Sequence, residues 1–156
     1  MNTPILSFNK QQDLQLLVEM VVEDNSLTPE YKTSGASGAD LKANENCVLQ
    51  PLERKLVSTG VKLSIPLGYE GQVRARSGLS AKKGLTLVNG IGTIDSDYTG
   101  EILVSMINLS NEPQEIHKGD RIAQLVITPV IQACFVPVES LENTERNEGG
   151  FGSTGL

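Results

Sequence analysis

The sequence predicts an all-β protein, a jelly-roll-like sandwich or small barrel of short strands with one short helix and a flexible, Gly-rich C-terminal arm. Three observations carry that expectation. Short runs rich in β-branched and apolar residues recur along the chain, and Gly- and Pro-containing turns separate them. One stretch in the body, Ser77–Gly84, carries the start and stop signals of a helix. At 156 residues and 38% hydrophobic content, the chain reads as a single domain, 1–156, with enough apolar surface for a core.

Taken in order, residues 1–15 form an N-terminal extension with no assigned function. Leu16–Val22 (LLVEMVV) could be helix or strand, and its β-branched content favours strand. Asn25–Lys32, with Pro29, is a connection. Ser34–Ala43 (SGASGADLKA) is a small-residue loop that runs into a short strand. Cys47–Gln50, Lys55–Thr59 and Val61–Ile65 follow as strands, and in the last Val61, Leu63 and Ile65 share a face opposite Lys62 and Ser64. In Gly71–Arg76, Val73 and Ala75 alternate with Gln72, Arg74 and Arg76, which puts both arginines on one face. Ser77 is the expected N-cap of the helix. Leu85–Val88, Ile102–Leu109, Arg121–Val130 and Cys134–Val138 complete the strands. Asn143–Leu156 has four glycines in its last eight residues and no core-forming pattern, so it is expected to be a mobile arm.

Composition narrows the function. A net charge of −6, from 13 Lys and Arg against 19 Asp and Glu, argues against a general nucleic-acid or anionic-membrane binder. An anionic ligand would then require locally concentrated cations or a divalent metal. No apolar run approaches ~18 residues, and the N-terminus lacks a secretory layout. Two cysteines, Cys47 and Cys134, suit a reduced cytoplasmic setting as two small buried hydrophobes rather than a disulfide. His117 is the lone histidine, read as a solvated residue beside a turn, which leaves little room for His-based metal or nucleophile chemistry.

Val88–Glu101 (VNGIGTIDSDYTGE) concentrates the chemistry. In an extended chain Asp95 and Asp97 project together while Ile94 points inward. Tyr98-Thr99-Gly100 then reads as a turn back into the next strand, giving a hairpin with acids and one ring at its mouth. A plain polar turn is the alternative. Arg76-Ser77-Gly78 sets an arginine, a hydroxyl and free N–H groups at a helix start, an arrangement suited to an anion or to an ordinary cap. Lys82 and Lys83 read as a solvated face. In Gly119–Leu125 an Asp120–Arg121 pair would stabilise a strand end, and in a regular strand Arg121 and Gln124 face opposite ways. In the tail Arg146, Phe151, Ser153 and Thr154 stand among glycines that can bring N–H groups onto an anion.

Together the five segments resemble, in order and spacing, the signature motifs of the trimeric dUTP pyrophosphatase (dUTPase) family. SGASGADLKA is similar to the first, RARSGLSAKKG the second, VNGIGTIDSDYTGE the third, GDRIAQL the fourth and RNEGGFGSTG the fifth. Three positions depart from the pattern. Ala39 stands where an aromatic usually precedes the Asp of the first motif and could alter packing behind the sugar pocket. Ala75 replaces a proline, and Asn147 a glycine.

The resemblance implies hydrolysis of dUTP to dUMP and pyrophosphate, which limits uracil in DNA and supplies dUMP for thymidylate synthesis. It assigns Asp95 as the general base and Asp97 as a supporting residue. Arg76, Ser77, Gly78 and Gln124 would bind phosphates, with Arg121 structural. Asn89, Gly92, Thr93, Ile94 and Leu103 would line the uracil pocket within the hairpin, and Tyr98 would pack flat on the deoxyribose. Mg²⁺ is the implied cofactor, held by phosphates and water, with Asp40 orienting one of those waters. Arg146, Phe151, Gly152, Ser153 and Thr154 would form a lid in which Phe151 stacks on uracil and the others grip the γ-phosphate. The implied assembly is a homotrimer with shared sites.

Three other readings compete. A dCTP deaminase would need a carboxylate shuttle at the base, and no glutamate near the second or third motif supplies one. A silent nucleotide sensor would lack Asp95. A capsid or lectin-like sandwich leaves the terminal motif unexplained.

Overall fold

The computed structural model describes residues 6–8 and 14–150. Its strands are β1 (Leu6–Phe8), β2 (Leu14–Leu16), β3 (Glu19–Val22), β4 (Ala39–Lys42), β5 (Cys47–Leu49), β6 (Arg54–Ser64), β7 (Tyr69–Ala75), β8 (Leu85–Leu87), β9 (Ile91–Ile94), β10 (Glu101–Asn108), β11 (Gln114–Ile116) and β12 (Arg121–Pro129). A 3-10 turn covers Asn25–Leu27, and the helix α1 is Ser77–Lys83. Two antiparallel four-stranded sheets, β3-β6-β10-β8 and β4-β12-β7-β9, carry the fold, with two-stranded ladders β1-β2 and β5-β11 beside them.

Both sheets contribute to one core. Strict alternation along β10 buries Ile102, Val104, Met106 and Asn108; β6 buries Val57, Val61 and Leu63, with its alternation interrupted at Thr59–Val61. These residues pack with Leu41, Val73 and Leu125 of the second sheet. Leu49 and Ile116 of the small ladder join the same cluster. Asn108 is fully buried because its amide donates to the carbonyls of Leu49 and Glu112, and its Oδ1 accepts from Ser110.

The all-β sandwich with one short helix is as expected, and several elements differ. Lys55–Thr59 and Val61–Ile65 form one strand, β6, with an irregularity between them where β10 pairs across. Arg76, not Ser77, is the N-cap, because its backbone is the last extended one. Gly84 ends α1 in the left-handed region (φ 66°), as predicted. The ladder strand β11 is too polar and short to betray itself in the sequence. Residues 130–141 make no strand. Cys134 is exposed there, so only Cys47, which is partly buried, fits the expected buried thiol; both cysteines are free. Ile131, Phe135, Val136, Val138 and Leu141 are largely exposed in this segment, with Phe135 at 92%.

The largest revision concerns Val88–Glu101. It is not a local hairpin: β9 pairs with β7 in the second sheet, while β8 and β10 pair with each other in the first. The chain leaves one sheet after Leu87, adds a strand to the other, and returns through residues 95–100. Six extended residues reach about 20 Å, ample for sheets about 10 Å apart.

Candidate active site

The first half of the site is a cationic surface on the outer face of β4, β12 and β7. Register places Gln124 directly opposite Asp40 on one side and Arg74 on the other, so these three share a face. A bulge shifts the pairing between Arg121 (opposite Lys42) and Ala123 (opposite Leu41). Ile122 and Ala123 are consequently both buried, and Arg121 lands on the face of Lys42 and Asp40. In a regular strand Arg121 and Gln124 would diverge; the bulge brings them to the same side. Nor does Arg121 pair with Asp120, whose carboxylate accepts from the His117 N–H in the turn.

Asp40 is the centre of this surface. Only 3% exposed, it receives Arg121 Nη1 on Oδ2 at 3.0 Å and has Arg76 Nε beside Oδ1 at 3.2 Å. The second contact is an ion pair without hydrogen-bond alignment, which leaves Oδ1 and the Arg76 Nε–H buried and unsatisfied. Arg76 is anchored separately by donation from Nη1 to the Arg121 carbonyl at 2.8 Å. Two arginines around one carboxylate leave an excess positive charge, and Arg74, held by Gln72 Oε1, adds to it. Ser77 and Gly78 are exposed in the first turn of α1, where a helix leaves N–H groups unpaired. An acidic protein has here concentrated cations at one place, the condition an anionic ligand requires.

The second half is a narrow cleft of about 200 Å³ lined by residues of both sheets: Leu56, Val73, Leu87, Asn89, Gly92, Thr93, Ile94, Leu103 and Ser105. All five residues expected to contact a base are in this lining. Leu56 and Leu103 are apolar side chains on outward positions of their strands, 59% and 42% exposed, and the cleft explains why they are not polar.

Asp95 is elsewhere. It follows the last residue of β9 and, with Ser96 and Asp97, lines a wider cleft of about 560 Å³ whose other walls include Tyr69, Glu70, Val130 and Gln132. Both aspartates do face one space, but through a turn closed by Tyr98 N–H to the Asp95 carbonyl at 3.1 Å, not through extended geometry. The expected turn at Tyr98–Gly100 is thus displaced to Asp95–Tyr98. Tyr98 lines neither cleft; its ring folds back over Gly100, and its hydroxyl donates to the Glu101 carbonyl at 2.8 Å. Glu101, which the sequence reading passed over, accepts on Oε1 from the Ser58 hydroxyl and from the Thr59 and Gly60 N–H groups. Burial pushes its carboxyl up, but these three donors together outweigh that and hold it below the usual carboxylate range.

Within one chain Asp95 does not reach the cationic surface. Ile94 pairs with Gly71 in an antiparallel ladder, so Asp95 lies level with Glu70, six residues from Arg76, or roughly 20 Å along the strand direction. Arg146 is engaged within its own turn, where Nε donates to the Gly149 carbonyl at 2.7 Å. Asn147 in that turn has φ 41°, a conformation that glycine and asparagine adopt readily. Ala39 is buried and paired with Leu125. Phe151, Gly152, Ser153 and Thr154 lie outside the described residues. His117 is exposed beside Glu115 and Asp120, as expected.

A narrow, partly apolar cleft together with a separate cationic surface suits a ligand that joins a flat ring to a polyanionic chain. Comparison with known proteins specifies the class. A family model described as dUTPase matches residues 24–155. A deoxyuridine 5'-triphosphate nucleotidohydrolase of Hydrogenobaculum sp. (strain Y04AAS1) is 54% identical over 144 residues, covering 92% of this chain and 99% of that protein. One from Wolbachia pipientis wMel is 56% identical over 137 residues, 85% of this chain and 89% of the relative. Among solved structures, a mutant dUTPase of a Staphylococcus bacteriophage, with dUpNHpp, superposes with a TM-score of 0.82 at 30% identity, covering 90% of this chain and 99% of that one. A mutant dUTPase from a phage of S. aureus, described with a structural Mg(II) ion, gives a TM-score of 0.75 at 27% identity over 81% of this chain and 99% of that one. The chain belongs to the dUTPase family.

Proposed function

We propose that this chain hydrolyses dUTP to dUMP and pyrophosphate, with Asp95 as the base that takes a proton from the water attacking the α-phosphorus. The observation that carries the reading is the presence of a base-sized cleft, walled by Asn89, Gly92, Thr93, Ile94 and Leu103, together with a surface where the cations Arg76 and Arg121 stand beside Gln124. Backbone groups along β9 can satisfy the donor and acceptor edge of uracil. Cytosine would leave those groups unpaired, and the narrow walls leave no room for a thymine methyl. Asp97 supports the turn that carries Asp95.

Arg76, Ser77, Gly78 and Gln124 bind the phosphates in this reading. The orphaned Asp40 Oδ1 fits a metal ion held at one remove, because a single buried carboxylate can orient one of the ion's waters without ligating it. Among the described residues no cluster of three or more His, Cys, Asp or Glu could hold an ion directly. Mg²⁺ bound to the triphosphate would neutralise charge on the phosphate oxygens. When phosphates approach, the Arg76 Nε–H has no hydrogen bond of its own to give up.

The separation of Asp95 from Arg76 along one chain supports sites assembled from different subunits of a homotrimer. The unpaired apolar segment 130–141, exposed on a single chain, is suited to packing on a neighbour. Arg146, Phe151, Gly152, Ser153 and Thr154 would then form a lid over a site to which they are not sequence neighbours, with Phe151 on the uracil ring. Tyr98 would present its face to the deoxyribose. No helix among the described residues is long and apolar enough to cross a membrane; a cytoplasmic setting completes the proposal.

The test is pyrophosphate release from dUTP, dTTP, dCTP and UTP, each with and without Mg²⁺. Release from dUTP alone, strengthened by Mg²⁺, is the expected result. Ammonia from dCTP would assign the chain to deamination instead.

A further inference from the structure

We propose that Glu101 is a positioning residue for sugar discrimination: its carboxylate locks β10 to a bulge in β6, and its carbonyl holds the Tyr98 ring. The inference rests on the reading of Tyr98 as the surface against which the deoxyribose lies.

The geometry is continuous from the core to the ring. Glu101 pairs with Lys62, and Leu103 with Ser58, so residues 59–61 of β6 stand opposite Ile102 alone. Such a bulge leaves backbone groups without ladder partners. Two side chains take them up. Glu101 Oε1 accepts from Thr59 N–H at 3.1 Å, Gly60 N–H at 2.8 Å and the Ser58 hydroxyl, while the buried Thr59 hydroxyl donates to the Ile102 carbonyl at 2.6 Å. Glu101 is therefore fixed relative to β6 by its own side chain, at the first residue of the strand.

Tyr98 is fixed in turn by Glu101. Its hydroxyl donates to the Glu101 carbonyl at 2.8 Å. Its ring covers Gly100 so closely that a Cβ there would lie 2.6 Å from the hydroxyl oxygen and 2.7 Å from Cζ, so any side chain at residue 100 would displace the ring. A ring that rejects a single extra hydroxyl on a sugar must hold its face to well under an ångström, and loosening of that order costs catalytic discrimination steeply. Leu103, two residues beyond the same lock, lines the base cleft, so the bulge also sets where the sugar and base walls stand relative to each other.

A purely structural staple would lower stability and leave selectivity alone. The experiment therefore compares kcat/KM for dUTP and UTP in the wild type, Glu101→Ala and Glu101→Gln, well below each melting temperature. Glu101→Ala is expected to reduce the preference for dUTP over UTP by about tenfold or more, chiefly through gained UTP turnover. Glu101→Gln, which keeps an acceptor oxygen, should retain most of the preference. Should Glu101→Ala not fold, Ser58→Ala removes one donor to the same oxygen, with about a fivefold change expected. A wild type that does not prefer dUTP to UTP would defeat the reading of Tyr98 itself. A selective wild type together with folded variants of unchanged selectivity would overturn the role of Glu101.

Discussion

The two ends of strand β7 are built in opposite ways. At Arg76, a buried carboxylate sits between two arginines, one of them placed by a bulge, and every participant is tied to a second element. At Gly71, across from Ile94, the neighbouring Asp95 and Asp97 are exposed around a wide cleft, and among the described residues neither forms an ion pair. One end is a finished anion cradle. The other presents its acids outward, where a second subunit can supply what they act on. The contrast teaches why the proposed reading needs more than one chain: the two ends are half-sites, and under that reading catalysis belongs to their meeting.

The largest expected effect falls on the exposed end. Asp95→Asn should retain nucleotide binding, read by titration with a non-hydrolysable analogue, and lower pyrophosphate release about 10²- to 10⁴-fold, the usual contribution of a general base. Turnover near the wild-type rate would remove Asp95 from its role. Next comes deletion of residues 146–156, expected to leave a folded oligomer with release reduced about 10²-fold, the scale of a lost positioning lid.

The finished end should respond in stability as well as activity. Asp40→Ala strands two arginines around an empty centre and should cost about 3 kcal/mol, the lower range for breaking a buried pair, in denaturant unfolding. The same variant should raise the Mg²⁺ concentration needed for half-maximal activity. A smaller effect is expected from acid. The Glu101 carboxyl is held below its ordinary 4.5 in the folded chain, so its stabilisation is fully present above about pH 4.5 and disappears as pH falls through the lower folded value. Melting temperature should therefore fall less between pH 6 and pH 3.5 in Glu101→Gln than in the wild type. The smallest is His117→Ala, within ±0.5 kcal/mol of wild type, since the side chain is exposed and its acidic neighbours are screened.

Much of this was legible in the sequence. Alternation gave the buried faces of β6, β7 and β10, and the resemblance to the dUTPase motifs pointed to the lining of the base cleft. What stayed hidden depended on pairing across the fold. Nothing local distinguishes a hairpin from a strand that joins the opposite sheet, so β9 was assigned the wrong partner. The bulge at Ile122, which turns Arg121 toward Asp40, is a matter of register, and Asp120 next door was the more obvious partner for that arginine. Glu101 escaped notice because one glutamate at a strand start has no periodic signature; its importance comes from N–H groups some forty residues earlier in the chain. Cys134–Val138 had the composition of a strand, but among the described residues it has no partner strand.

The most direct test of the two-half-site account mixes two inactive variants. Arg76→Ala lacks the anion grip and Asp95→Asn lacks the base, and each alone should release almost no pyrophosphate from dUTP. Unfolded and refolded together in equal amounts, they should recover activity at about a quarter of the sites, the fraction expected when a cyclic oligomer assembles at random and each site draws the two residues from different subunits. Mixed oligomers that remain as inactive as either parent would contradict the account.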